Sequence, residues 1–474
     1  MLAKQVFRNF IYNASSLLIG NLSGLIVSIY LAKTLKPELF GIYSLVLSIA
    51  YLVLSLTDLG INAATTRYVA DAYFRQDFES LRGYIKNLAI LKLLLSALAS
   101  LLTLISAEFI SIYFFAKPEL YEPLVFSSAF IFFYSLSGYL NSIYNAFKDF
   151  KASLIRSLSY EASKLLFIII FVYVGLEVVG AILGLVIASL ASLVVLILYS
   201  KKYKFFYGKT KKIHWFRVIK FTSYLTIGSI TWIFFAYVDS IMIGYFLPAE
   251  AVGYYRAAFS IISAVSGLIS VTTVLFPVFI ELEGKRLKNA FVRTFKYSAI
   301  ISIPAAFGLA MISGGIVVFV YGHEYLNAIN SMRILSFLLI PYCLNLWSNL
   351  FNAKEMPQYP VYVLSVAMVL NIILNWFMIP IYGIDGAALA TLISNFLNWI
   401  LLGLFAYKKF SIFPLTLTIK PIFASTTMVA AIYYLNLLDR FLAILFGSVV
   451  YFLTIFIIKG LSSEDYKFFK SLFT

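Results

Sequence analysis

One cysteine, Cys343, and two histidines, His214 and His323, are all that this 474-residue chain has of the side chains that build disulfides and most metal centres. A lone thiol in the apolar run FLLIPYCLNLW closes no intramolecular bridge and makes no cysteine cluster. Two distant histidines without HExxH spacing do not suggest zinc, so neither metal nor cofactor is expected. Charge is scarce too. Asp, Glu, Lys and Arg make 12% of the residues, against about 25% in soluble domains. Polar stretches are too short for a folded aqueous domain, which takes about 50 residues or more. A membrane-embedded glycosyltransferase would need such a domain, or a DxD-like acidic cluster for its sugar donor, and the sequence offers neither. The chain is therefore expected not to be an enzyme.

What the sequence has instead is apolar bulk: 62% of its residues are hydrophobic, against about 45–50% in soluble proteins. Unbroken runs such as LLFIIIFVYVG (165–175) and FLAILFGSVVYFLTIFII (441–458) favour helices over the alternating strands of a membrane barrel. Hydropathy predicts fourteen spans, at 11–32, 40–60, 84–106, 124–147, 154–174, 179–199, 221–246, 252–276, 294–320, 334–353, 359–380, 386–407, 419–436 and 441–459. The first is read as a span rather than a signal peptide, being too long for one. An even number of spans puts both termini on one side. Of the 37 Lys and Arg residues, 29, Arg156 among them, fall on that side or at the span ends facing it, six, Arg256 among them, on or toward the other, and two, Lys92 and Lys164, are counted inside spans. By the positive-inside rule the termini are cytoplasmic, in a multi-pass protein of the cell membrane. Topology also accounts for the net charge of +16, so no nucleic-acid partner is expected.

The chain repeats itself weakly. KTLKPELFGIYSLVLSI (33–49) aligns without gaps on YFLPAEAVGYYRAAFSI (245–261), matching Leu35/Leu247, Glu38/Glu250, Gly41/Gly253, Tyr43/Tyr255, Ser48/Ser260 and Ile49/Ile261. VGLEVVGAILGLVIAS (174–189) resembles YGIDGAALATLIS (382–394), and YNAFKD (144–149) resembles FNAKEM (351–356). Six spans separate the copies, so both enter the membrane in the same sense and the repeat is parallel. The expected architecture is all-α: two pseudo-symmetric six-helix bundles at 1–200 and 221–408, and two more helices with a cytoplasmic tail at 409–474. A basic linker at 201–220 joins the bundles. It holds eight Lys/Arg, no acid and six aromatics, and reads either as ordinary positive-inside anchoring on the anionic cytoplasmic leaflet or as a binding site for a lipid-linked anion. Such repeats suit rocking between inward- and outward-open states.

The stretches LAKTLKPELFGIYSLVLSI, LTDLGINAATTRYVA, VDSIMIGYFLPAEAVGYYRAAFSI, VYGHEYLNAINSMRIL and LNWFMIPIYGIDGAALATLIS resemble the polysaccharide-biosynthesis transporters. These are the Wzx-type oligosaccharide flippases of the multidrug/oligosaccharidyl-lipid/polysaccharide (MOP) exporter superfamily. The resemblance implies a flippase that moves a polyprenyl- or dolichyl-(pyro)phosphate-linked oligosaccharide from the cytoplasmic to the outer leaflet. It is read as acting as a monomer, with a coupling ion that no motif identifies. The alternative within the superfamily is a cation-coupled multidrug exporter, which would favour acidic cavity residues in the first half; spans one and two have none before Asp58.

Charges at membrane depth are costly and mark function by default. Asp239 lies on the seventh span with no basic residue three or four positions away, so its partner must come from another helix. Arg256, at similar depth on the eighth, is the natural one. The two read equally as a polar cavity lining that could release Arg256 to a phosphate, or as a structural ion pair. Their first-half counterparts, Val27 and Ser44, are uncharged, so the anion acceptor is expected on the second half. Glu161 and Lys164 share a face of the fifth span, either as a gate contacting an anion or as a neutralised pair. Arg67, in DLGINAATTR, reads as substrate contact or positive-inside anchor. Lys92 is expected to snorkel to the cytoplasmic interface. Asn345, Asn349 and Asn352 recur at i, i+4, i+7 on the tenth span, with shorter pairs at Asn141/Asn145, Asn371/Asn375 and Asn395/Asn398. They serve either sugar hydroxyls or helix–helix association. Pro277, Pro304 and Pro341 are expected to kink or start helices.

Overall fold

The computed structural model describes residues 2–201, 208–269, 281–434 and 440–461, together with Phe279 and Asp465. Part of the basic linker (202–207), Pro277, and Lys467 and Lys470 of the tail lie outside the described residues. Among those described there is no strand, because in hydrocarbon a backbone has only itself to bond and a helix pairs its groups locally. The helices are α1 (Leu2–Asp58), α2 (Ile61–Phe74), α3 (Phe78–Glu108), α4 (Tyr121–Ala146), α5 (Phe150–Tyr173), α6 (Glu177–Ser200), α7 (Trp215–Phe246) and α8 (Ala249–Ile269). There follow α9 (Gly284–Tyr321), α10 (Ala328–Ser336), α11 (Leu339–Leu344), α12 (Leu346–Ala353), α13 (Gln358–Phe410), α14 (Ile419–Tyr434) and α15 (Arg440–Ile457). Among the described residues ten stretches are long and apolar enough to cross a membrane, and a shorter apolar one covers Ile444–Ile457. The protein is an all-α, multi-pass membrane protein.

α1 and α13 run for 57 and 53 residues, far beyond the roughly 20 that one crossing needs. Each is two helices meeting at a break the sequence encodes. In α1, Lys36 takes φ 61° and ψ 172° before Pro37, whose ring disfavours the helical conformation of the residue ahead of it. In α13, Gly383 takes φ 60° and ψ −139°, three residues after Pro380. The breaks fall between the spans predicted at 11–32 and 40–60 and between those at 359–380 and 386–407.

The tenth span departs from expectation. Instead of one helix over 334–353 the chain makes α10, α11 and α12, with Pro341 inside α11 and a second break at Asn345 (φ −77°, ψ 56°). Proline supplies no N–H to a continuous helix. Asn345 therefore sits at the α11–α12 junction and does not extend the face that Asn349 and Asn352 share.

The chain forms two compact units, Met1–Ala257 with Asn375–Ile384, and Ala258–Leu374 with Asp385–Thr474. In the first, the start of α8 packs backbone to backbone on α1. A Cβ on Gly41 would lie 1.9 Å from the Ala249 carbonyl oxygen, and one on Gly253 would lie 2.1 Å from that of Pro37. The ungapped sequence repeat pairs Gly41 with Gly253 and Pro37 with Ala249. Each glycine thus meets the counterpart of the other's partner, as a two-fold axis through the contact requires.

Lys92 corrects another expectation. It does not snorkel: it is 1% exposed, and its Nζ donates to the Thr57 carbonyl (3.0 Å) and to Asp58 Oδ1 (3.2 Å). α1 ends at Asp58, so its last carbonyls lack intrahelical donors and attract a cation. Hydroxyls continue the network, Thr57 to Ser135 at 2.8 Å and Ser135 to Ser96 at 2.7 Å.

In the second unit, Trp347 is enclosed by Phe291, Phe295, Trp399 and Phe413. α14 and α15 dock on α9 through Ile300, Ala424, Met428, Ile432, Tyr451 and Ile455. The Tyr451 hydroxyl donates to the Ile300 carbonyl at 2.8 Å, and Asp465 receives Lys296 and Tyr297.

Candidate functional site

A ladder of cations and tyrosines runs through the first unit. α5 contributes Arg156, whose guanidinium lies 5.2 Å from the centre of the Tyr134 ring on α4 and whose Nε donates to Ser137 Oγ at 2.9 Å. Tyr134 meets Tyr51 of α1 edge to face at 6.3 Å, and Tyr51 stacks on Tyr237 of α7 at 5.1 Å and 15°. Over Tyr237 lies the Arg256 guanidinium of α8, 5.4 Å from the ring centre. A branch leaves at Tyr134 for Tyr160 (5.4 Å), which carries the Lys164 ammonium 5.5 Å from its own centre. Each cation is set against the negative face of a ring, an attraction that grows where water is thin.

Two carboxylates accompany the three cations. Glu161 and Lys164, 9% and 8% exposed, form the ion pair that their three-residue spacing on one helix face allows. Asp239, 4% exposed, accepts from the Tyr255 hydroxyl at Oδ2 (2.8 Å) and from Asn375 Nδ2 at Oδ1 (2.6 Å). Its donors come from α8 and α13, so they belong to other helices, as the lack of a basic neighbour on α7 required. Tyr255 immediately precedes Arg256 on α8, and Asp239 follows Tyr237 by two residues on α7, so this bond joins the two helices that carry the end of the ladder. Tyr43 is buried on α1 between Gly41 and Tyr51, and the rings of Tyr134 and Tyr51 connect the Lys164 branch to Arg256.

The structure therefore brings Asp239, Arg256, Glu161 and Lys164 to one region. Arg67 does not join them. It is exposed on α2 with its guanidinium 4.3 Å from the centre of the Phe221 ring. Asn345 and Asn349 belong to the second unit, where Ser348 Oγ donates to Asn345 Oδ1 at 3.3 Å. Among the other asparagines, Asn141 and Asn145 on α4 both accept from Ser153 of α5 at 2.9 Å, a helix-joining role, while Asn375 serves Asp239. Sequence reasoning missed Arg156, which it counted as a cytoplasmic anchor, and the four tyrosines. The available signal was tyrosine abundance, 34 residues, several of them in mid-span.

The linker's described part is fixed, not free. Arg82 Nε donates to the Lys209 carbonyl (2.8 Å), the Lys211 N–H donates to the Glu79 carbonyl (3.1 Å), and a Cβ on Gly83 would lie 2.3 Å from the Lys211 carbonyl oxygen. Lys209, Lys211 and Lys212 are left exposed.

Comparison with known proteins identifies the family. The family described as "Polysaccharide biosynthesis protein" matches residues 6–283. An uncharacterized membrane protein of Methanocaldococcus jannaschii is 26% identical over 379 residues, 74% of this chain and 74% of that protein. A "probable low-salt glycan biosynthesis flippase", Agl15 of Haloferax volcanii, is 28% identical over 181 residues, 37% of this chain and 38% of its own length. Among solved structures, the lipid II flippase MurJ in an inward closed conformation shares the fold with a TM-score of 0.76 at 21% identity, over 96% of this chain and 99% of that one. Since the family match takes in more than half of the sequence, the chain belongs to the polysaccharide biosynthesis protein family.

Proposed function

We propose that this protein is a flippase that carries a polyprenyl- or dolichyl-linked oligosaccharide, joined through phosphate, from the cytoplasmic to the outer leaflet by alternating access. The observation that carries this reading is the ladder Arg156–Tyr134–Tyr51–Tyr237–Arg256 with its Lys164 branch. A lipid-linked sugar has two polar parts. Its phosphate needs cations that keep their charge out of water, and guanidinium groups do so with donors matched to phosphate oxygens. Its sugar rings present C–H faces that stack on tyrosine, and hydroxyls that bond the phenol oxygens. A bilayer interior offers neither, so helices that line up both inside an apolar protein lower the barrier for the headgroup while the lipid tail stays in the membrane. Family membership and a relative named as a glycan biosynthesis flippase support the same reading. In this topology both termini are cytoplasmic, the exposed linker lysines meet the anionic leaflet, and the chain acts as a monomer.

The test is transport by the purified protein in liposomes, with a fluorescent lipid-linked oligosaccharide whose leaflet is read by access to a membrane-impermeant quencher. Exchange between leaflets should need the protein, and Arg256→Ala should abolish it while the protein still inserts. Equal exchange by Arg256→Ala would remove that residue from the mechanism. Export of cationic drugs with no exchange of the glycolipid would replace this reading with the multidrug alternative.

A further inference from the structure

Three rungs join α4 to α5. The Tyr134 ring meets the Tyr160 ring at 5.4 Å, Ser137 Oγ accepts from Arg156 Nε at 2.9 Å, and Asn141 Oδ1 accepts from Ser153 Oγ at 2.9 Å. Numbers rise on one helix as they fall on the other, so the pair is antiparallel and each rung lies about one turn, ~5.4 Å, from the next. Two of the rungs leave donors unspent. Both Nη groups of Arg156 make no hydrogen bond among the described residues, and neither does the amide nitrogen of Asn141 or of Asn145, whose oxygens share the Ser153 hydroxyl. We infer that these rungs form a first seat for the lipid-linked headgroup, in which Arg156 takes the phosphate through its two Nη groups and the Asn141 and Asn145 amides take sugar hydroxyls. This rests on the flippase reading above and adds its docking point, an anion acceptor built wholly by the first half of the chain.

Where Arg156 faces decides what it can meet. Leu158, Leu166 and Ile169 are exposed and mark the membrane side of α5, whereas Arg156, Tyr160 and Lys164 recur every four residues on the opposite side. The opening left to the half-buried guanidinium is therefore toward the protein and not toward lipid tails. A charge held among apolar helices is costly unless an anion offsets it, and the Tyr134 ring supplies only part of that offset. The acids of α5 and of the turn before it are occupied. Glu161 pairs with Lys164, and Asp149, two turns before Arg156 on the same face, accepts from the Tyr199 hydroxyl of α6 at 3.0 Å. Among the described residues no carboxylate pairs with Arg156. Its fork is also held in place. Ser137 is wholly buried and shares a 2.8 Å hydrogen bond with Ser192 of α6, so the Nε bond fixes the guanidinium plane while the Nη groups stay free to meet two phosphate oxygens.

The experiment measures binding to the purified full chain of two probes that share a farnesyl tail and a glucose, joined through a phosphodiester in one and directly in the other. The wild type should bind the phosphate probe at least about tenfold more tightly. Arg156→Gln should remove that preference without weakening the neutral probe. Arg156→Lys keeps the charge but cannot hold Ser137 and two phosphate oxygens together, so it should recover the preference only in part, and it decides alone if the glutamine variant folds poorly. Asn141→Ala should weaken both probes alike, by about two- to tenfold. Dioleoylphosphatidic acid, which brings a phosphate and no sugar, should not displace the phosphate probe at equal concentration; if it does, the seat belongs to phospholipid and the inference falls. Wild-type preference in the arginine variants, or equal losses for the two probes, also overturns it and leaves the flippase reading standing. If the wild type, folded and inserted in liposomes, neither binds nor exchanges the phosphate probe, the flippase reading itself fails.

Discussion

Replacing Gly253 by alanine places a methyl group where the structure has no room. Its carbon would lie 2.1 Å from the Pro37 carbonyl oxygen, whereas ordinary contacts of a Cβ start near 3.4 Å, so α8 and α1 must separate by more than 1 Å. The obstacle is backbone on both sides and cannot rotate away. Overpacking of this kind costs about 1–3 kcal/mol. Gly41→Ala strains the same contact from the other side, at 1.9 Å from the Ala249 oxygen. Once either variant has parted the helices, the second methyl enters space already opened, so the pair should fall short of additivity by about 0.5–3 kcal/mol. Gly24→Ala is the control: nothing lies within 4 Å of its Cβ, and alanine in a helix should be neutral or slightly stabilising. The assay is unfolding of the purified protein in mixed micelles titrated with denaturing detergent. Gly253→Ala as stable as the wild type, or strictly additive with Gly41→Ala, would refute the reciprocal contact and the two-fold relation drawn from it.

In the same assay, Asp58→Leu should cost about 3–5 kcal/mol, because it leaves the Lys92 ammonium buried with only a carbonyl to meet it. Lys92→Met should cost clearly less, since the Asp58 side chain is 28% exposed and can turn to water. Tyr51→Leu and Tyr237→Leu keep apolar bulk but lose the stacked rings, and a double-mutant cycle should give a coupling of about 0.5–1.5 kcal/mol, with additive effects counting against the stack. At the start of α3, the Ser80 hydroxyl and N–H hold the Asp77 carboxyl below its ordinary 3.8, so this cap should be fully present above pH 3.8 and lost only as pH falls through the lowered value. Amide exchange at Ser80 read across that range checks it, and faster exchange already at pH 5 would contradict the cap.

Most of the fold was legible because the bilayer leaves a sequence few choices. An apolar run of the right length must be a helix, and the Pro37 and Gly383 breaks stand where hydropathy had divided two long helices into four spans. The repeat was legible for a related reason. Gly41 and Gly253 recur because a backbone approach repeated by symmetry tolerates no side chain at either position. The tenth span misled because its asparagine spacing, a true helical period, crosses a break at Asn345. Lys92 misled because its depth was judged along its own helix, whereas its place was decided by where α1 happens to end.

The candidate site was half legible, and the divide has a physical basis. Charges in apolar spans stand out, so Asp239, Arg256, Glu161 and Lys164 could be named without a structure. Tyrosines do not stand out among 34 of their kind, and Arg156 lies close enough to the end of α5 to pass for an anchor. What the sequence did not point to is that the first half supplies a second cation, Arg156, beside Lys164. Arg156 and Lys164 come from α5, Arg256 from α8, and within the ladder the Tyr51–Tyr237 stack alone joins the two sequence halves. Every other step holds inside one half: Arg156, Tyr134 and Tyr51 on one side, Tyr237 and Arg256 on the other. Both rings of that stack lie in one compact unit, whose α1 and α8 also meet backbone to backbone at Gly41 and Gly253, so all three cations of the ladder are carried by the same unit.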